Sequence, residues 1–292
     1  MTRVELVDNW LRRAAVILND DSPAPCETPV KVGVDLGTAD IQTLVLATDN
    51  TPLACFMDWA NVVRDGVVVD YFGAARIVAD HLRRASARLG LTIDRATTSF
   101  PPGTDPRISI NVVEAAGIEV SDVIDEPSSV AALLQLEHAA VVDIGGGTTG
   151  TAVIEQGRVV KSADDPTGGR HITLALAGHF NVPFEEAERL KLEITDRQVL
   201  GLVAPVIVKM ADLVKEHIAG YSPPAIYLTG GCCALPSFVE VFAAEFPGID
   251  VILPNRPLHL TPLAIAAFCG SVHGHTTRHG MAITQRAGGI PS

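Results

Sequence analysis

The sequence predicts an α/β fold made of two duplicated halves, each built on a mixed β-sheet, with a cleft between them. Three observations carry this. An apolar strand that ends in an aspartate, then a Gly/Thr turn and a return strand, occurs twice: Val30 to Ala47 around Asp35, and Ala139 to Ile154 around Asp143. The two aspartates stand 108 residues apart, the period of one small domain. After each opening, strand-like and helix-like segments alternate. The 292 residues are 47% hydrophobic and 19% charged, which suits a well-buried core.

The elements follow in chain order. Val4, Val7, Leu11, Ala14, Ala15 and Leu18 recur at helical spacing, so Val4 to Leu18 reads as an amphipathic helix. The polar, Pro-bearing run Asn19 to Pro29 reads as a linker, which makes 1–29 an appendage tethered ahead of the main domain. The first half, 30–137, opens with the Asp35 hairpin and continues with strands near Leu53 to Trp59 and Val67 to Val69. A helix with a basic face follows (Ala74 to Gly90), then a strand (Ala96 to Phe100), a helix (Arg107 to Gly117) and a helix after Glu126-Pro127. The second half, 138–261, opens with the Asp143 hairpin and adds a strand at Val159 to Ser162. Helices at His171 to Phe180, Phe184 to Leu192 and Gln198 to Ala219 come next, then a strand, Ala225 to Thr229, before Gly230-Gly231. A helix (Leu235 to Phe246) and a short strand (Val251 to Leu253) lead to a last helix within 262–272, which returns to complete the first half. Residues 273–292 read as a disordered tail.

Composition excludes several classes. The net charge of −12 would repel a phosphate backbone, so nucleic acid is not an expected partner. No run approaches the roughly 18 apolar residues of a membrane span, and the N-terminus lacks the apolar core of a signal peptide. Five cysteines (Cys26, Cys55, Cys232, Cys233, Cys269) form no CxxC and read as reduced thiols of a cytoplasmic protein.

The chemistry lies in the two hairpins, Gly33-Val34-Asp35-Leu36-Gly37-Thr38 and Val142-Asp143-Ile144-Gly145-Gly146-Gly147-Thr148-Thr149. Glycine lets backbone approach a phosphate, and successive turn N–H groups form an anion-binding concavity. An aspartate beside them would repel bare phosphate, so it implies a cation, Mg²⁺ with its waters. Gly145 to Gly150 also satisfies G-x-G-x-x-G, with Asp164 near the distance of a dinucleotide fingerprint. The β-branched run that follows fits a hairpin better than a βα crossover.

Taken together, these residues resemble the actin-like ATPase superfamily of sugar kinases, heat-shock chaperone ATPases and bacterial actin homologues. Five regions match in order: Val32 to Thr38, Asp125 to Ala132, Val141 to Thr149, Ile226 to Gly231 and Thr261 to Ala267. The resemblance implies two ribonuclease-H-like lobes around an ATP cleft. The run Arg64 to Tyr71 and the second hairpin resemble bacterial actin homologues; within that branch, the N-terminal helix and linker, the run Lys31 to Ala39 and the compact length resemble the ethanolamine-utilisation protein J family. That resemblance implies a chaperone-like protein associated with ethanolamine ammonia-lyase or with the shell or cargo of a bacterial microcompartment.

By position, the resemblance assigns Asp35 and Asp143 to a hydrated Mg²⁺ and Glu126 to the attacking water. Leu36, Gly37 and Thr38, with Gly145, Gly146, Gly147 and Thr148, would cradle the phosphates of ATP. Gly168 and Gly169 match a glycine pair near the phosphates. Glu188 and Lys191 match an adenosine-contacting pair, a solvated helix face being the plainer reading, and Gly230 and Gly231 would pass the adenosine closely. Ala39 stands where chaperone ATPases carry a second threonine, and their catalytic lysine has no clear equivalent, so turnover is expected to be slow or absent. The functions implied are an ATP-operated switch, a small-molecule kinase or a filament-forming actin homologue. The N-terminal helix also resembles short encapsulation peptides of microcompartment cargo, a helix docked on its own domain being the alternative.

Overall fold

The computed structural model describes residues 2–27, 29–64, 67–193 and 197–268. The tail at 273–292, Cys269 and the end of the last helix lie outside them, as do residues 65 and 66 in the run Arg64 to Tyr71.

The first sheet joins β1 (Val30–Leu36), β2 (Asp40–Ala47), β3 (Pro52–Trp59), β6 (Arg95–Phe100) and β7 (Glu119–Asp125) in the order β3-β2-β1-β6-β7. A two-stranded hairpin, β4 (Val63–Arg64) and β5 (Val67–Val68), stands apart from it. The second sheet joins β8 (His138–Ile144), β9 (Thr149–Glu155), β10 (Arg158–Asp165), β11 (Ala225–Thr229) and β12 (Asp250–Ile252) in the order β10-β9-β8-β11-β12. In both sheets the first three strands are antiparallel and the last two run parallel to the first. The duplication is thus one of topology as well as motif.

It reaches further than the hairpins. Eight residues past each aspartate stands a buried threonine, Thr43 or Thr151. Each meets a buried histidine from the covering helix: His81 of α2 (Tyr71–Leu89) at 3.2 Å and His217 of α7 (Arg197–His217) at 2.9 Å. The other ring nitrogen of each meets a carboxylate near the end of the third strand, Asp58 at 3.1 Å and Asp165 at 2.7 Å. Each sheet is therefore tied to its main helix by the same Thr–His–Asp chain.

Three apolar clusters form the core. One lies between the first sheet and α2 with α3 (Arg107–Ala115), and a second lies between the second sheet and its helices α5 (Gly169–Phe180), α7 and α8 (Phe238–Ala244). The third holds α4 (Glu126–Leu134) and α9 (Leu260–Phe268), which cross over. Helix α4 leaves the first sheet to pack on β8 and β9, and α9 leaves the second sheet to pack on β1, β2 and β6. The two crossing helices pack against each other and so join the two sheets.

The first segment departs from the sequence expectation. Helix α1 (Arg3–Val16) carries a Thr2–Glu5 capping box, and its Val7, Trp10, Leu11 and Ala14 are buried in the third cluster. Asp8 accepts from the backbone N–H and the side chain of Asn255, both at 2.9 Å, and Arg3 Nε donates to the Leu133 carbonyl at 2.6 Å. The linker is held too: Arg88 donates to the carbonyls of Asp20 and Ser22, and Arg84 pairs with Asp21. The apolar stripe of α1 covers its own domain, so the described part of this segment is packed rather than a loosely tethered appendage. Leu11→Ala is expected to destabilise the whole fold by about 2–5 kcal/mol, because Leu11 is fully buried. Urea denaturation checks it, and an unchanged midpoint would separate α1 from the cooperative core.

Candidate functional site

The two hairpins meet at one cleft. Asp35 stands near the end of β1 and Asp143 near the end of β8, so the turns that follow, Gly37–Ala39 and Gly145–Thr148, approach each other from opposite sheets. A Cβ at Gly147 would lie 2.7 Å from the Thr38 methyl, and one at Gly146 would lie 2.8 Å from the Ala39 Cβ. Glycine is required here by close approach, and Ala39 is the residue the second turn packs on. The cleft has a volume of about 270 Å³.

Of the residues singled out in the sequence, Asp35, Leu36, Gly37, Thr38, Glu126, Asp143, Gly145, Gly146, Thr148, Gly169, Glu188, Lys191, Gly230 and Gly231 line this cleft. Gly147 faces Thr38, and Gly168 packs behind the second turn. The first amides of α5 hold that turn in place: Gly169 N–H donates to the Gly145 carbonyl at 3.0 Å, and Arg170 N–H to that of Gly146 at 2.8 Å. Glu126 is the first residue of α4. Asp125 caps that helix by accepting from Ser128 N–H at 3.1 Å, and Pro127 suits the first turn.

Glu188 and Lys191 sit on α6 (Phe184–Leu192) as an i,i+3 pair at 2.5 Å. Lys191 is only 7% exposed, which removes the solvated-face reading for it. Its ammonium also donates to Thr173 Oγ1 at 3.1 Å and to the Gly169 carbonyl at 3.4 Å. Beside it, burial pushes the Cys232 thiol up to about 12, as it does for Cys55. Cys233 S–H donates to the Thr229 carbonyl. These thiols are packing groups held in their neutral form.

Several site residues carried no signal in the sequence. Gln42, buried on β2, reaches across the cleft floor: its amide donates to Asp40 at 2.7 Å and to the Leu258 carbonyl at 2.9 Å, while its oxygen meets His259 Nδ1 at 2.7 Å. Thr261 donates to Asp143 at 2.6 Å and meets Thr229 at 2.9 Å. Ser99 donates to Asp35 at 3.0 Å. Asp164, weighed above only as part of a dinucleotide fingerprint, lies beside Thr148 and Gly150. The hairpin β8–β9 that follows the second turn removes the βα crossover that the fingerprint needs.

The electrostatics are one-sided. Burial, then Asp143 and Asp40, push the Asp35 carboxyl up to about 8. Burial holds Asp143 at about 6, against the opposing bond from Thr261, and Asp40 also at about 6. Burial raises Asp164 to about 7. Glu126 is raised well above the usual range by burial and then by Asp35 and Asp143. Among the described residues the cleft wall has one basic side chain, Lys191, and Glu188 holds it. Such a cluster favours a dication. No three of the described His, Cys, Asp or Glu side chains converge tightly enough to ligate a bare ion; the carboxylates are of the type that could contact a dication through its waters.

Comparison with known proteins follows this geometry. The chain is 49% identical over 263 residues to the ethanolamine utilization protein EutJ of Escherichia coli (strain K12), covering 89% of this chain and 94% of that protein. It is 50% identical over 256 residues to EutJ of Salmonella typhimurium, covering 88% and 91%. The chain belongs to the EutJ family. The crystal structure of EutJ from Carboxydothermus hydrogenoformans superposes with a TM-score of 0.84 at 42% identity, over 91% of this chain and 99% of that one. Residues 140–255, which hold the second hairpin, match the family model for cell division protein FtsA. MreB 5 of Spiroplasma citri bound to AMPPNP shares the fold, with a TM-score of 0.64 at 18% identity over 83% of this chain and 96% of that one. The chain is thus an actin-like fold of two mixed-sheet lobes. Among its described residues no helix is long and apolar enough to cross a membrane.

Proposed function

We propose that this EutJ-family protein binds Mg·ATP in the cleft and works as a nucleotide-dependent switch on a protein partner in ethanolamine breakdown. One observation carries the reading: Asp35 and Asp143 face one another from duplicated hairpins, with the crossing helices α4 and α9 behind them. The Spiroplasma citri relative of the same fold was crystallised with AMPPNP. Turn amides at Gly37–Thr38 and Gly145–Thr148 would receive the phosphates, Gly169 would border them, and Gly230, Gly231, Glu188 and Lys191 would border the adenosine. Asp35 and Asp143 would hold the waters of Mg²⁺, which supplies charge neutralisation on the phosphates when bound. Glu126 would orient an attacking water.

Hydrolysis would be slow. Phosphoryl transfer depends on cations and donors aimed at the developing charge, and this cleft offers no uncommitted basic side chain among the described residues. We expect turnover on the order of 10⁻³ s⁻¹ or less, the range of nucleotide switches that lack a catalytic cation. Binding in the cleft would draw the halves together about α4 and α9 and alter an outer surface. The family points to ethanolamine ammonia-lyase or a microcompartment shell or cargo protein as the partner, in the cytoplasm where such a compartment assembles.

Calorimetric titration with ATP and ADP in Mg²⁺, beside a phosphate-release assay, tests the proposal. Wild type is expected to bind both nucleotides with little release, and Asp143→Asn to bind at least tenfold more weakly. No binding by wild type defeats the reading; rapid release defeats the switch.

A further inference from the structure

The cleft has one aromatic wall that the phosphate chemistry does not use. Trp59 lines it and is 65% exposed. The protein has two tryptophans, and the other, Trp10, is buried beneath the Arg3 guanidinium. An indole left this open at a strand end, inside the cleft, is a large apolar face.

Its placement is fixed by the sheet. Trp59 pairs in register with Asp40, so the two side chains stand on the same face, and Asp40 also lines the cleft. The Ala60 N–H donates to the Ala39 carbonyl at 3.0 Å, which pins the strand end to the first phosphate turn. The second sheet's helices answer from their side with Leu192, 63% exposed, at the end of α6 one residue beyond Lys191. Leu235 and Cys232 continue that apolar wall.

We propose that Trp59 is a base-stacking residue: its indole covers the purine of the bound nucleotide from the first lobe, against the wall carrying Leu192 and Leu235. This deepens the nucleotide reading above and rests on it. The contact comes from the sheet that carries the Asp35 turn, whereas Gly230, Gly231, Glu188 and Lys191 come from the second half. Base occupancy would therefore join the two halves of the cleft, as the phosphates do at its floor. Base–aromatic stacking contributes directly to affinity, so its loss should weaken binding by roughly tenfold.

Mg·ADP affinity of the full chain, measured for wild type, Trp59→Ala, Trp59→Phe and Trp59→Leu, tests this. Trp59→Ala should bind about tenfold more weakly. Trp59→Phe should recover to within about threefold of wild type. Trp59→Leu, apolar but without a ring face, should stay near the alanine variant. In Trp10→Phe, where Trp59 is the sole indole, Mg·ADP should quench its emission and shield it from acrylamide. Wild-type affinity in Trp59→Ala, equal recovery by leucine and phenylalanine, or unchanged emission would overturn the stacking role. If wild type itself binds no nucleotide, the broader reading falls with it; if wild type binds and Trp59→Ala matches it, this assignment alone falls.

Discussion

Gly230→Ala is expected to remove nucleotide binding and to destabilise the protein by roughly 3 kcal/mol. Gly230 follows β11 with φ at 91°, a conformation that L residues adopt only under strain. A Cβ there would also lie 2.4 Å from the Ile144 carbonyl oxygen and 2.5 Å from Asp143 Oδ1. Neither can yield cheaply. The carbonyl belongs to the strand that leads into the second phosphate turn, and Asp143 is fixed by Thr261 at 2.6 Å. Strain of 1–3 kcal/mol and overpacking of similar size add at one site. The displaced group is the carboxylate assigned to the hydrated cation, so Mg·ADP affinity should drop by at least a hundredfold. Gly231→Ala provides the contrast: its Cβ would meet only the Leu258 side-chain tip at 3.0 Å, and the fold should accept it. Thermal melting and calorimetry read both variants, and equal tolerance of alanine at the two positions would refute the close-packing argument.

The contrast also marks what a sequence can reveal. The hairpins were legible because their chemistry is local: strand, aspartate, glycines and threonine fall within a few consecutive residues, and the second copy repeats the first. Glu126 was singled out only through the resemblance of the run Asp125 to Ala132, and it does line the cleft. Gln42 was not, since its partner Leu258 lies 216 residues away, and no periodicity marks a glutamine that spans a cleft. Thr261 and Asp143 are 118 residues apart and meet only because α9 crosses back to the first sheet. Helix α1 was legible as an amphipathic helix, yet an apolar stripe says only that a face must be covered. The cover proved to be the central core and Asn255 rather than a distant partner. The Thr43–His81–Asp58 chain and its copy Thr151–His217–Asp165 escaped for the same reason. Each is assembled from two strands and a helix that the sequence does not place side by side.

The same carboxylates that define the site predict how the protein responds to pH. A carboxyl whose folded pKa is raised binds its proton more tightly in the native state than in the unfolded chain, where it titrates near 3.8. Asp35 at about 8 and Asp164 at about 7 therefore contribute a penalty that is absent at low pH and grows as pH rises toward 8. Below pH 6.5 an opposite effect enters. His259, lowered to about 4 by burial and Arg256, is neutral in the fold and gains stability as pH rises through 4–6.5. His81, also lowered by burial first, acts on the same side as His259, so the raised carboxylates dominate between pH 6.5 and 8.5. Across that window the melting temperature of cation-free protein should fall, by on the order of 5 °C for about 2–3 kcal/mol. Mg·ADP should stabilise more at pH 8.5 than at 6.5, because the cation engages ionised carboxylates. Asp35→Asn should flatten the cation-free slope and melt higher than wild type at pH 8.5 while losing nucleotide. A cation-free melting temperature that rises across the window would remove the electrostatic account of the site. On the proposed reading, ionised carboxylates would strain the cation-free protein, and a bound cation would relieve that strain.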